Sequence, residues 1–387
     1  MVGLVRPEGL ALEIRRRAAD ELPRALADLG AWVAVDTPSA DRDALDALAR
    51  LMAERIEHYG ARAELVESDD GLYLQATLAG TGRARIALLG HHDTVFPGGT
   101  AADRPFTIDA DVARGPGVAD MKGGLVVAAH VVRLLAEHPA SYGRIEFVSV
   151  PDEEQREGAF QGIERLRDFD AVLVMECGRP GNGVVTARKG GQWVAIRIDG
   201  LAAHAGVAAD RGRSALLAAS REALRIAELD GAREGLSVMP TLLTAGESLN
   251  SVPSRGSMRV DVRAWHAGDL DWAVAEVERF GDHPGVTLRM EPGVRVPPFE
   301  RADSAALFAA AAEAGVAIGS PIVEVSTGGV SDASWTAELG IPTLDGLGPI
   351  GEDDHSPAER IVVSSIPDRI GLVAGVIAGV EARLGAA

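Results

Sequence analysis

His91, His92 and Asp93 stand directly behind a short apolar run, Ile86-Ala87-Leu88-Leu89, that Gly90 brings to an end. The run suits a buried strand, and in open α/β sheets ligands sit just beyond the carboxyl ends of strands. An imidazole and a carboxylate so placed can hold a metal ion, with Asp93 either a ligand or the outer partner of His91. The same residues also suit a polar turn with one buried histidine. Two further apolar runs end in similar chemistry. Residues 144–150, RIEFVSV, lead to Pro151-Asp152-Glu153-Glu154, and residues 171–175, AVLVM, lead to Glu176-Cys177. Adjacent carboxylates repel one another unless a cation or solvent screens them. Glu153-Glu154 alone fits a solvated turn; three strand ends each delivering metal-capable groups favour a shared cation site over that alternative. Asp120 precedes a long apolar helix at about 122–137, where capping is its ordinary role.

The elements that must position these groups are readable in outline. Residues 10–33 carry Leu22, Leu26, Leu29 and Val33 at helical spacing, and a second helix carries Leu45, Leu48, Leu51, Met52 and Ile56 up to Gly60. Strands are expected over 62–67 and 72–78, around a turn at Asp69-Asp70-Gly71. Residues 98–119 are rich in Gly, Pro and Asp, and a loop of that length in a folded domain is usually functional. After Gly190-Gly191 the pattern changes. A strand at 192–199, a helix near 213–228, strands near 236–244 and 258–265, a helix at 269–281 and a strand at 286–291 make a β-α-β-β-α-β order. That order suits a ferredoxin-like α+β unit. Pro297-Pro298 marks the return, followed by an Ala-rich helix at 303–314, a Gly-rich turn at 326–332 and a last helix at about 364–383. The expected class is therefore α/β, with a mixed central sheet flanked by helices and an inserted α+β unit. The expected domains are 1–188, the insert 189–297, and 298–387.

Composition narrows the partners. With 47% hydrophobic and 25% charged residues, the 387-residue chain can build a large core, mainly of Ala, Val and Leu because aromatics are only 4%. A net charge of −19 disfavours nucleic acid and anionic membrane surfaces, which select basic proteins. The single cysteine, Cys177, excludes an intrachain disulfide. No stretch approaches the ~18 apolar residues of a membrane span. The opening residues lack the apolar core of a signal peptide. The expectation is a cytoplasmic protein.

Eight ordered motifs spread through nearly the whole chain: GHHDTVFP, GPGVADMKGG, PDEEQ, VMECG, GLAAHAG, GESLNSVP, STGGVSDAS and GEDDHSPAERI. Together they resemble those of the M20 metallopeptidase and amidohydrolase family, the group of carboxypeptidase G2-like enzymes, aminoacylases and succinyl-diaminopimelate desuccinylases. The resemblance implies a zinc-exopeptidase-like catalytic domain carrying two Zn²⁺ per subunit, with Co²⁺ or Mn²⁺ as possible substitutes. By position, His91 and Glu176 would hold one ion and Glu154 and His355 the other, with Asp120 bridging. Asp93 would orient His91, and Glu153 would be the general base. The resemblance also implies a cis peptide after Asp120, and an oxyanion donor at His204 supplied in many members by a partner subunit, hence a homodimer whose inserted domain is both dimerisation surface and lid. Asn250, Arg295, Gly328 and Gly329 correspond to positions that grip a substrate carboxylate. Two residues depart from the pattern: His92, where an apolar residue is common, and Cys177, where Pro is common.

The chemistry implied is hydrolysis of an amide next to a free carboxylate, in a peptide or an N-acyl amino acid. Carboxypeptidase or dipeptidase action and aminoacylase action use the same machinery, and the residues do not separate them. A metal-dependent binding protein without catalysis is the alternative of another class, and the intact Glu153 argues against it.

Overall fold

Arg85–His91 is a strand whose residues from Ile86 onward are buried on both faces. It lies inside a mixed six-stranded sheet, in the order Arg62–Glu67, Leu72–Ala79, Arg144–Val150, Arg85–His91, Ala171–Val174, Thr343–Leu344. The computed structural model describes residues 6–386. Arg85–His91 pairs in parallel with Arg144–Val150 on one side and Ala171–Val174 on the other, in the registers His91↔Val150 and Leu89↔Val174. Parallel neighbours in register end at one edge, so the residues after all three strands emerge together. That pairing converts three separate sequence signals into one site.

Helices cover the sheet, as a parallel core requires. They include Arg42–His58, Gly123–Leu135, Arg301–Ala317 and Ser365–Ala386. The single helix expected over 10–33 is two, Pro7–Asp20 and Leu22–Val33. Pro23 falls in the first turn of the second helix, where its missing N–H costs nothing and where it stops the first helix from running through. Gly123–Leu135 packs so tightly behind the site that a Cβ on Gly124 would lie 1.8 Å from the Met175 carbonyl oxygen.

The segment 98–119 is less irregular than its composition suggests. It holds strands Thr107–Asp109 and Val112–Arg114. These join Gly351–Glu352 and Arg360–Val362 in a small antiparallel sheet, with Arg114 opposite Arg360. This sheet ties the approach to Asp120 to the segment that carries His355. Gly183–Arg188 and Val323–Thr327 pair as a two-stranded ribbon that hydropathy patterning did not reveal.

The chain divides into two compact units. One runs through Ala187 and resumes over Arg301–Ser326 and from Ser331 onward; the other is Arg188–Glu300 with Thr327–Val330. The second unit has an antiparallel sheet in the order Ser237–Ala245, Arg255–Ala264, Gly190–Asp199, Thr287–Val296. Helices Ala215–Ala227 and Ala267–Glu278 pack on it. Val194, Ile196, Ile198, Met258, Val260 and Val262 alternate along its strands and bury a core of their own. Among the described residues no helix is long and apolar enough to cross a membrane.

Candidate metal centre

His91 ends its strand with the imidazole buried. Its Nδ1 lies 3.2 Å from Asp93 Oδ1. Its Nε2 faces Asp120 Oδ1 at 3.0 Å and Glu176 Oε1 at 3.7 Å. Across from it, His355 Nε2 lies 3.0 Å from Asp120 Oδ2 and 3.3 Å from Glu154 Oε2. Asp120 thus stands between two imidazoles with one oxygen toward each. The peptide bond that follows it, Asp120–Met121, is cis. His91, Asp120 and Glu154 offer ligand atoms all within 4.8 Å of one another.

Glu153 and Glu154 leave the end of Arg144–Val150 in a tight turn that Asp93 holds. The Glu153 N–H donates to Asp93 Oδ1 at 3.1 Å and the Glu154 N–H to Asp93 Oδ2 at 3.0 Å. The Ser39 hydroxyl completes the set at 2.7 Å. Asp93 is fully buried, yet these donors and His91 overcome the burial and keep its carboxyl below the usual range. It therefore positions both His91 and the turn that carries Glu153.

The electrostatics fit a cation. Burial raises the Glu153 carboxyl well above its ordinary value, and the charges of Asp332, Glu176 and Glu154 add to this. Burial likewise raises Glu154, with Asp120 adding to it. Glu154 Oε1 is buried without a hydrogen-bond partner. Hydrogen bonds to Asp120 and Glu154 push His355 up to about 11. For His91, burial works against protonation, but Asp120 and Asp93 outweigh it. A set of two imidazoles and three carboxylates, with one orphaned buried oxygen, fits divalent ions with mixed nitrogen and oxygen ligands.

His92 turns away from this cluster. Its Nδ1 meets the Ser149 hydroxyl at 2.9 Å, and burial drives its pKa down to about 3, so the ring is neutral. Cys177 is buried and burial raises its thiol far above the ordinary range, which leaves it a packing residue.

Two further anchors were not read from the sequence. Arg156 bridges Asp152 at 2.7 Å and Asp332, tying the loop after Glu154 to the start of helix Asp332–Glu338. Glu359 receives the N–H groups of Gly117, Ala119 and Asp120 at 2.8, 2.8 and 3.0 Å. Both acids lie inside quoted motifs, STGGVSDAS and GEDDHSPAERI, and that is the only signal that could have found them.

The remaining predicted residues belong to the second unit. His204 is exposed, and its Nδ1 accepts the Gly206 N–H at 3.2 Å. The Ala205 N–H donates to the Asn250 carbonyl at 2.8 Å, and the Ser248 hydroxyl donates to Asn250 Oδ1 at 2.6 Å. His204 and Asn250 are therefore neighbours on paired segments. Arg295 donates to Asp271 at 2.5 Å. The Gly328 carbonyl accepts from Arg263 at 3.0 Å and that of Gly329 from Arg188 at 3.2 Å.

Residues 87–379 match the model of peptidase family M20/M25/M40. Carboxypeptidase G2 of a Pseudomonas species is 30% identical over 93% of this chain and 90% of its own length. A succinyl-diaminopimelate desuccinylase of Stenotrophomonas maltophilia is 29% identical over 83% of this chain and 90% of its own. The crystal structure of aminopeptidase PepT from Bacillus cereus superposes with a TM-score of 0.81 at 24% identity, covering 93% of this chain and 98% of that one. With the imidazoles and carboxylates of its first unit gathered at one sheet edge, the chain belongs to peptidase family M20/M25/M40 and is a hydrolase acting on amide bonds.

Proposed function

We propose that the protein is a co-catalytic di-zinc hydrolase that cleaves an amide next to a free carboxylate, in the manner of a carboxypeptidase or dipeptidase. The observation that carries this reading is Asp120 set between His91 and His355, with Glu154 and Glu176 alongside. His91 and Glu176 would hold one ion, Glu154 and His355 the other, and Asp120 both. Bound there, the ions would polarise the scissile carbonyl and lower the pKa of water. Glu153 takes the proton from the attacking water on its carboxylate and returns it to the leaving amine. Asp93 keeps the His91 Nδ1–H directed inward, so that Nε2 faces the centre. His204 donates to the oxyanion.

Asn250, Arg295 and the amides around Gly328 and Gly329 would hold the substrate carboxylate. A guanidinium suits this because its planar fork pairs with two oxygens. Arg295 would exchange Asp271 for substrate to do so. The exposed apolar residues of the second unit support a homodimer, in which that unit serves as dimerisation surface and lid. Deacylation of N-acyl amino acids is the second reading, favoured by the desuccinylase relative.

Turnover on a panel of C-terminal dipeptides and N-acyl amino acids tests the proposal together with Glu153→Ala. The variant is expected to keep its metal, measured by elemental analysis, and to lose on the order of 10²–10⁴ in kcat. Full activity in Glu153→Ala would remove the base from Glu153.

A further inference from the structure

Glu359 is 1% exposed, and its carboxylate is spent wholly on backbone. Oε2 accepts the Gly117 N–H; Oε1 accepts those of Ala119 and Asp120. Three amides converge on one carboxylate because the chain turns through Gly117 in the left-handed region, at φ 74°. The N–H groups of Gly117, Ala119 and Asp120 then point to one side and form an anion-binding nest, while that of Val118 turns to the Gly115 carbonyl. Only glycine fits there, since a Cβ would also meet Thr94 Cγ2 at 2.7 Å. The same acid is fixed to the His355 segment. The Glu359 N–H donates to the Ser356 carbonyl, and the Ser356 N–H to the Asp353 carbonyl, both at 3.2 Å. Arg360–Val362 then pairs with Val112–Arg114. One side chain thus joins the two segments that present Asp120 and His355.

Burying a carboxylate beside Asp120 is electrostatically unfavourable. The Asp120 whose amide Glu359 holds keeps one oxygen at 3.0 Å from each imidazole. We propose that Glu359 is a positioning residue that sets Asp120 between His91 and His355 before metal arrives, so that the affinity for both ions depends on it. The inference rests on the di-metal reading above. Because Asp120 would serve both ions, loss of Glu359 weakens both, whereas loss of an outer ligand such as His355 falls mainly on one.

The experiment titrates Zn²⁺ into metal-free wild type, Glu359→Ala and Glu359→Gln, in competition with a chromogenic chelator, after circular dichroism shows each folded. Glu359→Ala is expected to raise both dissociation constants by about 10–100-fold, the usual range for groups that orient ligands. Glu359→Gln can keep the two bonds of Oε1 and turns an NH₂ toward the Gly117 N–H. It is expected to raise both by about fivefold, the loss of one hydrogen bond. If Glu359→Ala does not fold, Glu359→Gln decides alone. Folded variants with wild-type affinity, or an effect confined to one ion, would overturn the role. Wild type that takes up no Zn²⁺ would overturn the di-metal centre along with it, whereas wild type that binds two ions beside equally avid variants overturns the role of Glu359 alone.

Discussion

Asp93 serves two masters through two oxygens. Oδ1 faces the His91 imidazole and the Glu153 amide, and Oδ2 faces Ser39 and the Glu154 amide. Every partner is a donor, so an amide side chain cannot replace the carboxylate without setting an NH₂ against one of them. Asp93→Asn is therefore expected to weaken metal binding by about 10–100-fold through His91. It is also expected to keep kcat depressed by about 10²-fold at saturating metal, because the turn bearing Glu153 shifts. Steady-state kinetics across a Zn²⁺ series separates the two effects; recovery of full kcat at high Zn²⁺ would confine Asp93 to His91. The side-chain types at this site were legible in the sequence because strand-end acids and imidazoles are conspicuous. The amide contacts were not. Asp93 and Glu359 act on backbone N–H groups whose directions depend on local φ and ψ, and residue identity carries little of that. The bridge from Arg156 to Asp332 spans 176 positions, and no local pattern announces it.

At the scale of elements, Asp28 shows how the helical layer is held. It lies buried on Leu22–Val33 and accepts from the Tyr59 hydroxyl, from His130 Nε2 at 3.1 Å and from Arg55 Nε at 3.0 Å. Tyr59 and Arg55 belong to the end of Arg42–His58, and His130 lies on Gly123–Leu135, so one carboxylate pins three helices. Burial alone would raise Asp28, but its hydrogen bonds to His130 and Tyr59 and the charge of Arg55 hold it below the ordinary value. A depressed folded-state pKa contributes stability that is present above the unfolded value, near 3.8, and is lost as pH falls through the folded value. Asp28→Asn is expected to cost about 1–3 kcal/mol at neutral pH. The gap from wild type should close as pH falls below the unfolded value. Urea melts at a series of pH values read both quantities; a gap constant down to strongly acid pH would mean the charge of Asp28 contributes nothing. The helices themselves were legible from periodicity, apart from the break at Glu21 between the first two. Leucines on both sides of that break keep helical spacing, and the interruption depends on Pro23, whose place in a first turn leaves the apolar stripe intact. The small sheet built on Val112–Arg114 was hidden for a different reason: three-residue strands are too short to show alternation.

At the scale of the whole molecule, the second unit carries surface that a solitary chain would leave wet. Ser237–Ala245 is an edge strand of its sheet, and Met239, Leu242 and Leu243 are exposed on it. The adjoining helix Ala215–Ala227 exposes Leu216, Leu217 and Leu224, the last at 72%. Natural edge strands are normally guarded by charge, proline or a bulge, and contiguous exposed apolar residues mark an interaction surface. Pro240 and a bulge between Pro240 and Leu242 guard it in part, but no charge lies between Val238 and Ala245. In the proposed homodimer a second copy would satisfy such an edge by isologous pairing, each strand serving the other. If the proposed oxyanion donor then crosses to the neighbouring subunit, His204 and Glu153 of one active site come from different chains. The test is complementation. His204→Ala and Glu153→Ala are each expected to be nearly inactive alone, the first by about 10²–10³ in kcat. Mixed and allowed to exchange subunits, they form heterodimers with one intact site and one doubly defective site. Random pairing makes half the dimers mixed, so activity should recover to about a quarter of wild type. Light scattering should report dimers throughout, and Leu224→Glu with Leu242→Lys should give metal-loaded monomers unable to complement. Mixtures that stay as inactive as their components, while exchange is shown by a tagged subunit, would place His204 in the same chain as the Glu153 it serves or outside the reaction.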